Sequence, residues 1–196
     1  MAEIVSTEVT HHRWSKLTVA TIRLPDGQIT KRDIEDHGEA AVVLPYNPAR
    51  RTALLVRQFR TPALQVCGDG LVLEPAAGRL DEADPEACAR REALEEIGLR
   101  LTVLEPVARV WTMPALSTER AWMYLAPYDD ADRVTAGGGL AEEHEEIEVL
   151  EWPLAELATM ADAGTLNEIK LLLLVQTLRL RHPALFMDPA TPAGRE

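Results

Sequence analysis

The sequence predicts an α+β fold, in which a mixed β-sheet lies between helices and a small antiparallel β extension precedes it. Two observations support this prediction. Short apolar or alternating segments, typical of strands, occupy the first third of the chain and recur in its second half, with one helical segment between them. Two apolar segments of helical length follow the last strand pattern. Strands and helices in this order, without strict alternation, are typical of α+β proteins.

Five strands are predicted before the first helix, at residues 17–24, 28–35, 40–45, 52–59 and 71–74. The first two alternate apolar and polar residues and are joined by Pro25-Asp26-Gly27, a turn sequence, so they are expected to form a hairpin. A polar turn over residues 47–51 joins the next two strands. Residues 75–78, Pro-Ala-Ala-Gly, are expected to form a loop.

The first helix is predicted to begin after Asp84 and to end at Gly98. Asp84 is a good N-cap, Pro85 suits the first helical position, and Gly98 can end the helix in a left-handed conformation. Later strands are expected at residues 103–111, 120–126 and 146–152, and later helices at residues 154–163 and 166–181. The chain is thereby divided into a β extension (1–38), a main domain (39–182) and a flexible tail (183–196).

Three glutamates crowd one side of the first helix, namely Glu92, Glu95 and Glu96. At 100° per residue, Glu92 and Glu96 lie about 40° apart, with Glu95 about 60° to the other side of Glu92. The packing face is predicted to lie opposite, with Ala87, Leu94 and Ile97. Like charges four residues apart repel each other, and a hard divalent cation such as Mg²⁺ or Mn²⁺ would convert that repulsion into coordination. The helix is therefore a candidate metal site.

A second acidic segment lies further along the chain, at residues 137–148. Three glycines there precede four glutamates around His144. This pattern predicts a loop that folds over a metal site, with a solvated acidic loop as the alternative.

Composition and charge argue against several classes of function. The chain has 196 residues and a net charge of −12, which argues against binding to nucleic acid or to an anionic membrane. No apolar run approaches the ~20 residues that span a bilayer, and the N-terminus lacks the pattern of a secretion signal. Cys67 and Cys88 are the only cysteines, so a disulfide framework is not expected. These features predict a cytoplasmic protein.

The segment from Gly78 to Leu99 resembles the Nudix box, whose pattern is Gly-x5-Glu-x7-Arg-Glu-U-x-Glu-Glu-x-Gly-U, where U is aliphatic. The second half, from Arg91 to Leu99, matches this pattern except for Ala93 at a U position. The first half departs from it, because Gly78 lies thirteen residues before Arg91 instead of fourteen and Asp84 replaces the early glutamate. A box shortened in this way resembles the GDP-mannose hydrolase branch of the Nudix enzymes that act on nucleoside diphosphate sugars.

The resemblance implies a Nudix fold and metal-dependent hydrolysis of a diphosphate linked to another group. In the family, box carboxylates and the backbone carbonyl before the box glycine bind the metal, Mg²⁺ or in its place Mn²⁺. Carried over to this sequence, the implied metal ligands are Ala77, Glu92, Glu95, Glu96 and Glu145. The residues implied in catalysis are Glu96, Glu143 and Glu145. Glu143 matches the general base proposed in relatives that hydrolyse ADP-ribose, and Arg91 is expected to pair with the box glutamates.

The GDP-mannose branch also implies contacts with the nucleotide sugar at Trp14, Lys31, Arg32, Asp33, Arg60, Gly78, Glu119 and Lys170. Trp14 would stack on the base, and Arg60 would offer its guanidinium to phosphate oxygens. In this branch the N-terminal sheet swaps between subunits. A homodimer is therefore implied, in which residues 31–33 reach the active site of the other subunit.

These residues are consistent with several functions. The favoured one is hydrolysis of GDP-mannose to GMP and mannose 1-phosphate, and the nearest alternative is hydrolysis of ADP-ribose to AMP and ribose 5-phosphate. A catalytically inactive Nudix domain that senses a ligand would usually lack box glutamates, which this chain retains. A purely structural acidic protein would have no need of the box and would show no Mg²⁺-dependent rise in melting temperature.

Overall fold

The computed structural model describes residues 1–81, 83–139 and 147–187 of the chain. The strands are β1 (Glu3–His12), β2 (Lys16–Arg23), β3 (Ile29–Asp36), β4 (Ala40–Asn47), β5 (Thr52–Phe59), β6 (Leu71–Glu74), β7 (Ala76–Arg79), β8 (Glu105–Trp111), β9 (Arg120–Pro127) and β10 (Ile147–Pro153). The helices are α1 (Thr61–Cys67), α2 (Pro85–Ile97), α3 (Leu154–Asp162) and α4 (Ile169–Arg181). The predicted α+β class is confirmed. No helix in the described ranges has the length and apolar character needed to cross a membrane.

The N-terminal extension is a three-stranded antiparallel sheet in the order β1-β2-β3. The predicted hairpin corresponds to β2 and β3, whereas β1 was missed. All ten residues of β1 are exposed, so the strand has no buried apolar face that its sequence could reveal.

The main sheet has the strand order β10-β5-β4-β9-β8, with β4 and β9 parallel. β4 and β5 pair only at the end next to their connecting turn, where Tyr46 lies opposite Ala53. Beyond that point they diverge, and β6 pairs with β5 while β7 pairs with β4. The prediction of a loop over 75–78 was therefore wrong. Pro75, which has no N–H to donate, separates the two short strands.

Alternate residues of β5 supply two hydrophobic cores, one on each face of the sheet. Leu55 packs in the core that includes Leu171 of α4, and Leu54 and Val56 pack in the core that includes Ile97 of α2. The strand pattern of the sequence thus places α2 on one face of the sheet and α4 on the other.

The predicted packing face of α2 was right for Ile97, which is fully buried, and wrong for Leu94. The buried residues of this helix are Cys88, Ala89, Ala93, Glu96 and Ile97. Glu96 is only 2% exposed, whereas Leu94 is 37% exposed. The small side chains of Ala89 and Ala93 allow the helix to pack closely against β4 and β7, which brings part of the acidic side of the helix against the sheet.

Smaller differences concern the ends of elements. Helix α1 was missed because none of its residues is buried, so it has no apolar face. Helix α4 begins at Ile169 and not at residue 166, because the Glu168 carboxylate caps it by accepting a hydrogen bond of 2.7 Å from the backbone N–H of Leu171. Within the predicted tail (183–196), Pro183–Leu185 form a short 3-10 helix, and residues 188–196 lie outside the described residues.

Candidate active site

A cleft of about 570 Å³ opens at the end of the sheet where β4 and β5 diverge. The predicted site residues that line it are Trp14, Arg60, Ala77, Gly78, Glu92, Glu95, Glu96, Glu119 and Lys170. They come from the β1–β2 turn, the end of β5, β7, α2, the segment before β9 and the first turn of α4. The fold thus brings together residues from segments that are distant in the sequence.

Strand β7 holds the base of the cleft against α2. The backbone N–H of Ala77 donates a hydrogen bond of 2.9 Å to Glu96 Oε2. Gly78 lies directly against Glu92, and a Cβ atom built on Gly78 would be 1.8 Å from Glu92 Oε1. Only glycine can occupy this position without displacing the carboxylate.

Arg91 pairs with two glutamates of the helix, as the sequence indicated. Its Nη1 lies 2.9 Å from Glu92 Oε1 and 3.0 Å from Glu95 Oε2. Glu96, which also lines the cleft, adds a third carboxylate from the same helix.

The acidic group fits a divalent metal ion by the chemistry of its donors. The side chain of Glu92 is 12% exposed and Glu96 as a whole is 2% exposed, and carboxylate oxygens are the ligands that hard divalent cations such as Mg²⁺ prefer. Within residues 1–81, 83–139 and 147–187, no three His, Cys, Asp or Glu side chains are already close enough to hold a metal ion. The predicted residues Glu143 and Glu145 lie outside the described residues.

Arg60 reaches the cleft from the end of β5, where a carboxylate fixes its orientation. Its Nε and Nη2 donate hydrogen bonds of 2.8 and 2.7 Å to the two carboxylate oxygens of Glu74. The Glu74 side chain is 5% exposed and that of Arg60 is 42% exposed. Sequence reasoning missed Glu74, although a glutamate that ends an apolar strand needs a partner when the strand is buried.

Trp14 stacks on His37, with ring centroids 4.9 Å apart and planes at 18°. His37 Nδ1 lies 2.8 Å from Glu35 Oε1, and its Nε2 lies 3.4 Å from Glu119 Oε1. Burial raises the pKa of Glu35, but hydrogen bonds from Ser117 and His37 outweigh it and leave that pKa below its usual value. These contacts hold the imidazole in place beneath the indole. Sequence reasoning missed His37, because a single histidine after a strand belongs to no motif.

Glu39, also missed, lines the cleft at the start of β4. Its carboxylate accepts hydrogen bonds from Arg109, Arg120 and Trp122 at 2.5, 2.6 and 2.8 Å. Burial raises the pKa of Glu39, but the bonds from these three side chains outweigh it and leave that pKa below its usual value. Glu39 directly precedes β4, and its carboxylate binds side chains of β8 and β9. It therefore links these three strands in the wall of the cleft.

The remaining predicted residues occupy two places. Lys170 Nζ lies 3.4 Å from Glu168 Oε1 at the start of α4, within the cleft lining. Lys31, Arg32 and Asp33 are exposed on β3 and do not line the cleft of their own chain. Their predicted role requires a second subunit.

Comparisons with known proteins agree with this architecture. The model of the NUDIX domain family matches residues 36–174. The GDP-mannose pyrophosphatase of Cronobacter sakazakii is 43% identical over 160 residues, which cover 80% of this chain and 82% of that protein. The GDP-mannose pyrophosphatase of Klebsiella pneumoniae is 37% identical over 182 residues, with 90% of each chain covered.

A solved structure of an ADP compounds hydrolase has the same fold. It superimposes with a TM-score of 0.72 at 18% identity and covers 92% of this chain and 96% of its own. A coverage this high includes residues of both the N-terminal sheet and the main sheet, so the combination of the two has a precedent.

Proposed function

The chain belongs to the Nudix family of hydrolases, and from this premise we propose that it hydrolyses the diphosphate of a nucleoside diphosphate sugar. The favoured substrate is GDP-mannose, with GMP and mannose 1-phosphate as products. The observation that carries this proposal is the pairing of charges in one cleft. The acidic group of Glu92, Glu95 and Glu96 shares it with the cations Arg60 and Lys170. A diphosphate bound together with a metal ion needs carboxylates to hold the metal and cations to bind its own negative oxygens.

The acidic residues are assigned to metal binding. The carboxylates of Glu92, Glu95, Glu96 and Glu145 and the backbone carbonyl of Ala77 would hold Mg²⁺, or Mn²⁺ in its place. When bound, such an ion polarises phosphoryl oxygens and lowers the pKa of coordinated water. Arg91 keeps two of the carboxylates together and partly offsets their repulsion.

The other residues bind the substrate and move a proton. Arg60, held rigidly by Glu74, and Lys170 bind the negative oxygens of the diphosphate. Hydrolysis forms a bond between a water oxygen and one phosphorus and breaks the bond from that phosphorus to the bridging oxygen, which leaves with the other phosphate. The water proton is assigned to Glu143. Glu119 and Gly78 are assigned to substrate contacts near the reacting group.

The nucleoside is assigned to the region of Trp14. The indole is 72% exposed, and one of its faces rests on His37. The other face therefore suits stacking with a planar base.

Cys67 and Cys88 are not joined in a disulfide, which suits the reducing cytoplasm that we propose as the location.

The N-terminal sheet is assigned to a homodimer. Its outer strand β1 is fully exposed, and this sheet also exposes the large apolar side chains of Ile4, Val9 and Ile29. An exposed strand edge with apolar residues is a surface that another chain can cover. In this arrangement Lys31 would contact the nucleotide in the cleft of the other subunit.

Subunit complementation tests the shared site. Lys31→Ala is expected to raise KM severalfold, while Glu96→Gln abolishes turnover in its own cleft. When the two variants are co-expressed with different affinity tags and the mixed dimer is isolated, one of its clefts combines Glu96 from one chain with Lys31 from the other, so the KM of the mixed dimer should return to the wild-type value. A KM that stays raised, or a mass in solution equal to the 21.7 kDa monomer, would contradict the shared cleft.

Product analysis tests the activity itself. With Mg²⁺, GDP-mannose should yield GMP and mannose 1-phosphate faster than ADP-ribose yields AMP and ribose 5-phosphate. The reverse order would keep the diphosphate chemistry and reject the proposed substrate, because the two compounds share the diphosphate and differ in the base, the sugar and the sugar carbon that carries the phosphate. Absence of product from both would reject the proposed function.

A further inference from the structure

Gln58 is a buried polar residue in the wall of the cleft. It is 5% exposed, and its Nε2 has no hydrogen-bond partner among the described residues. Two other buried side-chain atoms within those residues share this property, Arg120 Nε and Trp152 Nε1, but neither residue lines the cleft. Of these three donors among the described residues, only Gln58 Nε2 belongs to a residue that lines the cleft.

The strand around Gln58 would favour an apolar residue at this position. Gln58 lies on the same face of β5 as Leu54 and Val56, both fully buried in the core under α2. Its neighbours across the sheet are Val72 on β6 and Ile147 on β10. A buried amide N–H without an acceptor costs free energy comparable to a lost hydrogen bond. A functional partner would offset this cost when the cleft is filled.

We propose that Gln58 is a substrate-contacting residue whose Nε2 donates a hydrogen bond to a diphosphate oxygen of the nucleotide sugar. The inference rests on the proposed function. Arg60 lies two residues after Gln58, has an extended backbone conformation and also lines the cleft. Residues two apart in an extended chain point to the same side, so the two side chains are neighbours. Diphosphate oxygens are strong hydrogen-bond acceptors. A hydrogen bond from the Gln58 amide would fix the orientation of a diphosphate that the Arg60 guanidinium attracts by its charge.

The test replaces Gln58 by methionine, which has the same chain length but no donor. Gln58→Met should raise KM about tenfold and leave kcat within about twofold, because a hydrogen bond made equally to substrate and transition state contributes to binding alone. The melting temperature of the ligand-free variant should be equal to or higher than that of the wild type, because an unsatisfied donor has been removed. Gln58→Leu provides a second apolar variant, and Gln176→Leu on α4, outside the cleft, is the matched control.

The melting temperature separates this role from a structural one. An unchanged KM in Gln58→Met and Gln58→Leu would overturn the inference, and so would a raised KM together with a lower melting temperature, because the amide would then stabilise the fold of the cleft wall. Both variants are assayed with whichever of GDP-mannose and ADP-ribose the wild type hydrolyses faster. Preference for ADP-ribose would therefore reject the proposed substrate while Gln58 is still tested. A wild type that hydrolyses neither would overturn both.

Discussion

Glu96→Gln is expected to lower kcat about a thousandfold while the protein stays folded. Metal ions stabilise transition-state charge by several kcal/mol, and 1.36 kcal/mol corresponds to a factor of ten in rate. Glutamine keeps the shape of the side chain, and its Oε1 can still accept the hydrogen bond that Ala77 N–H donates at 2.9 Å. The variant therefore removes a charge from a residue that is 2% exposed and retains its backbone contact.

Metal binding can be measured independently of turnover. A ligand at a hundred times its Kd stabilises a protein by about 2.7 kcal/mol, so Mg²⁺ should raise the melting temperature of the wild type. This rise should be much smaller in Glu96→Gln. The matched control is Glu86→Gln on the same helix, where the carboxylate pairs with Arg90 at 3.1 Å outside the cleft. Near-normal activity in Glu96→Gln, or an equal loss in Glu86→Gln, would contradict the assignment.

Local signals in the sequence were sufficient for the ends of α2 and for the strands of the main sheet other than β7. Asp84 accepts a hydrogen bond from Glu86 N–H, and Gly98 adopts a left-handed conformation with φ of 73°, both as expected. These features depend on a few neighbouring residues, so the sequence expresses them directly. The same holds for β4 and β5, whose apolar runs are buried on both faces.

The side of α2 that packs against the sheet could not be predicted from the sequence, because it depends on tertiary packing. The direction of α2 against the sheet depends on the divergence of β4 from β5, which is a property of the whole sheet. Helical periodicity placed Leu94 inward, yet the small residues Ala89 and Ala93 face the sheet. A narrow contact through alanines brings a helix closer to a sheet than leucine would allow, and the hydrophobicity pattern alone does not distinguish these cases.

The residues in the cleft or in contact with its lining that the sequence analysis missed share a different cause. Glu74, His37 and Gln58 each acquire significance only through residues distant in the chain or through the space beside them. Glu74 holds Arg60, fourteen positions earlier. His37 carries Trp14 and approaches Glu119, eighty-two positions later. Gln58 looks like an ordinary polar residue at a strand end, and its burial appears only when β6 and β10 flank it.

Gly78→Ala is expected to reduce activity about a hundredfold with a loss of only about 1 kcal/mol in the free energy of unfolding. The new Cβ would lie 1.8 Å from Glu92 Oε1 and 2.0 Å from its Cδ, whereas real Cβ atoms essentially never approach another atom within 3.0 Å. The carboxylate must therefore move by about 1 Å or more, and a misplacement of about 1 Å in a catalytic group can cost a hundredfold in rate. The obstacle is the end of a flexible side chain and not backbone, which keeps the stability loss small.

A glycine in open space separates the two effects of this substitution. Gly164 has φ of +69°, and no atom lies within 4 Å of the position that a Cβ would take, so Gly164→Ala strains only the backbone at the end of α3. It should lose about 1 kcal/mol of stability, similar to Gly78→Ala, and keep full activity. Both variants are compared by urea unfolding and by initial rates under Mg²⁺. If Gly78→Ala kept wild-type activity, the position of Glu92 against β7 would not matter for the reaction; if Gly164→Ala lost activity equally, stability and not carboxylate placement would account for the effect.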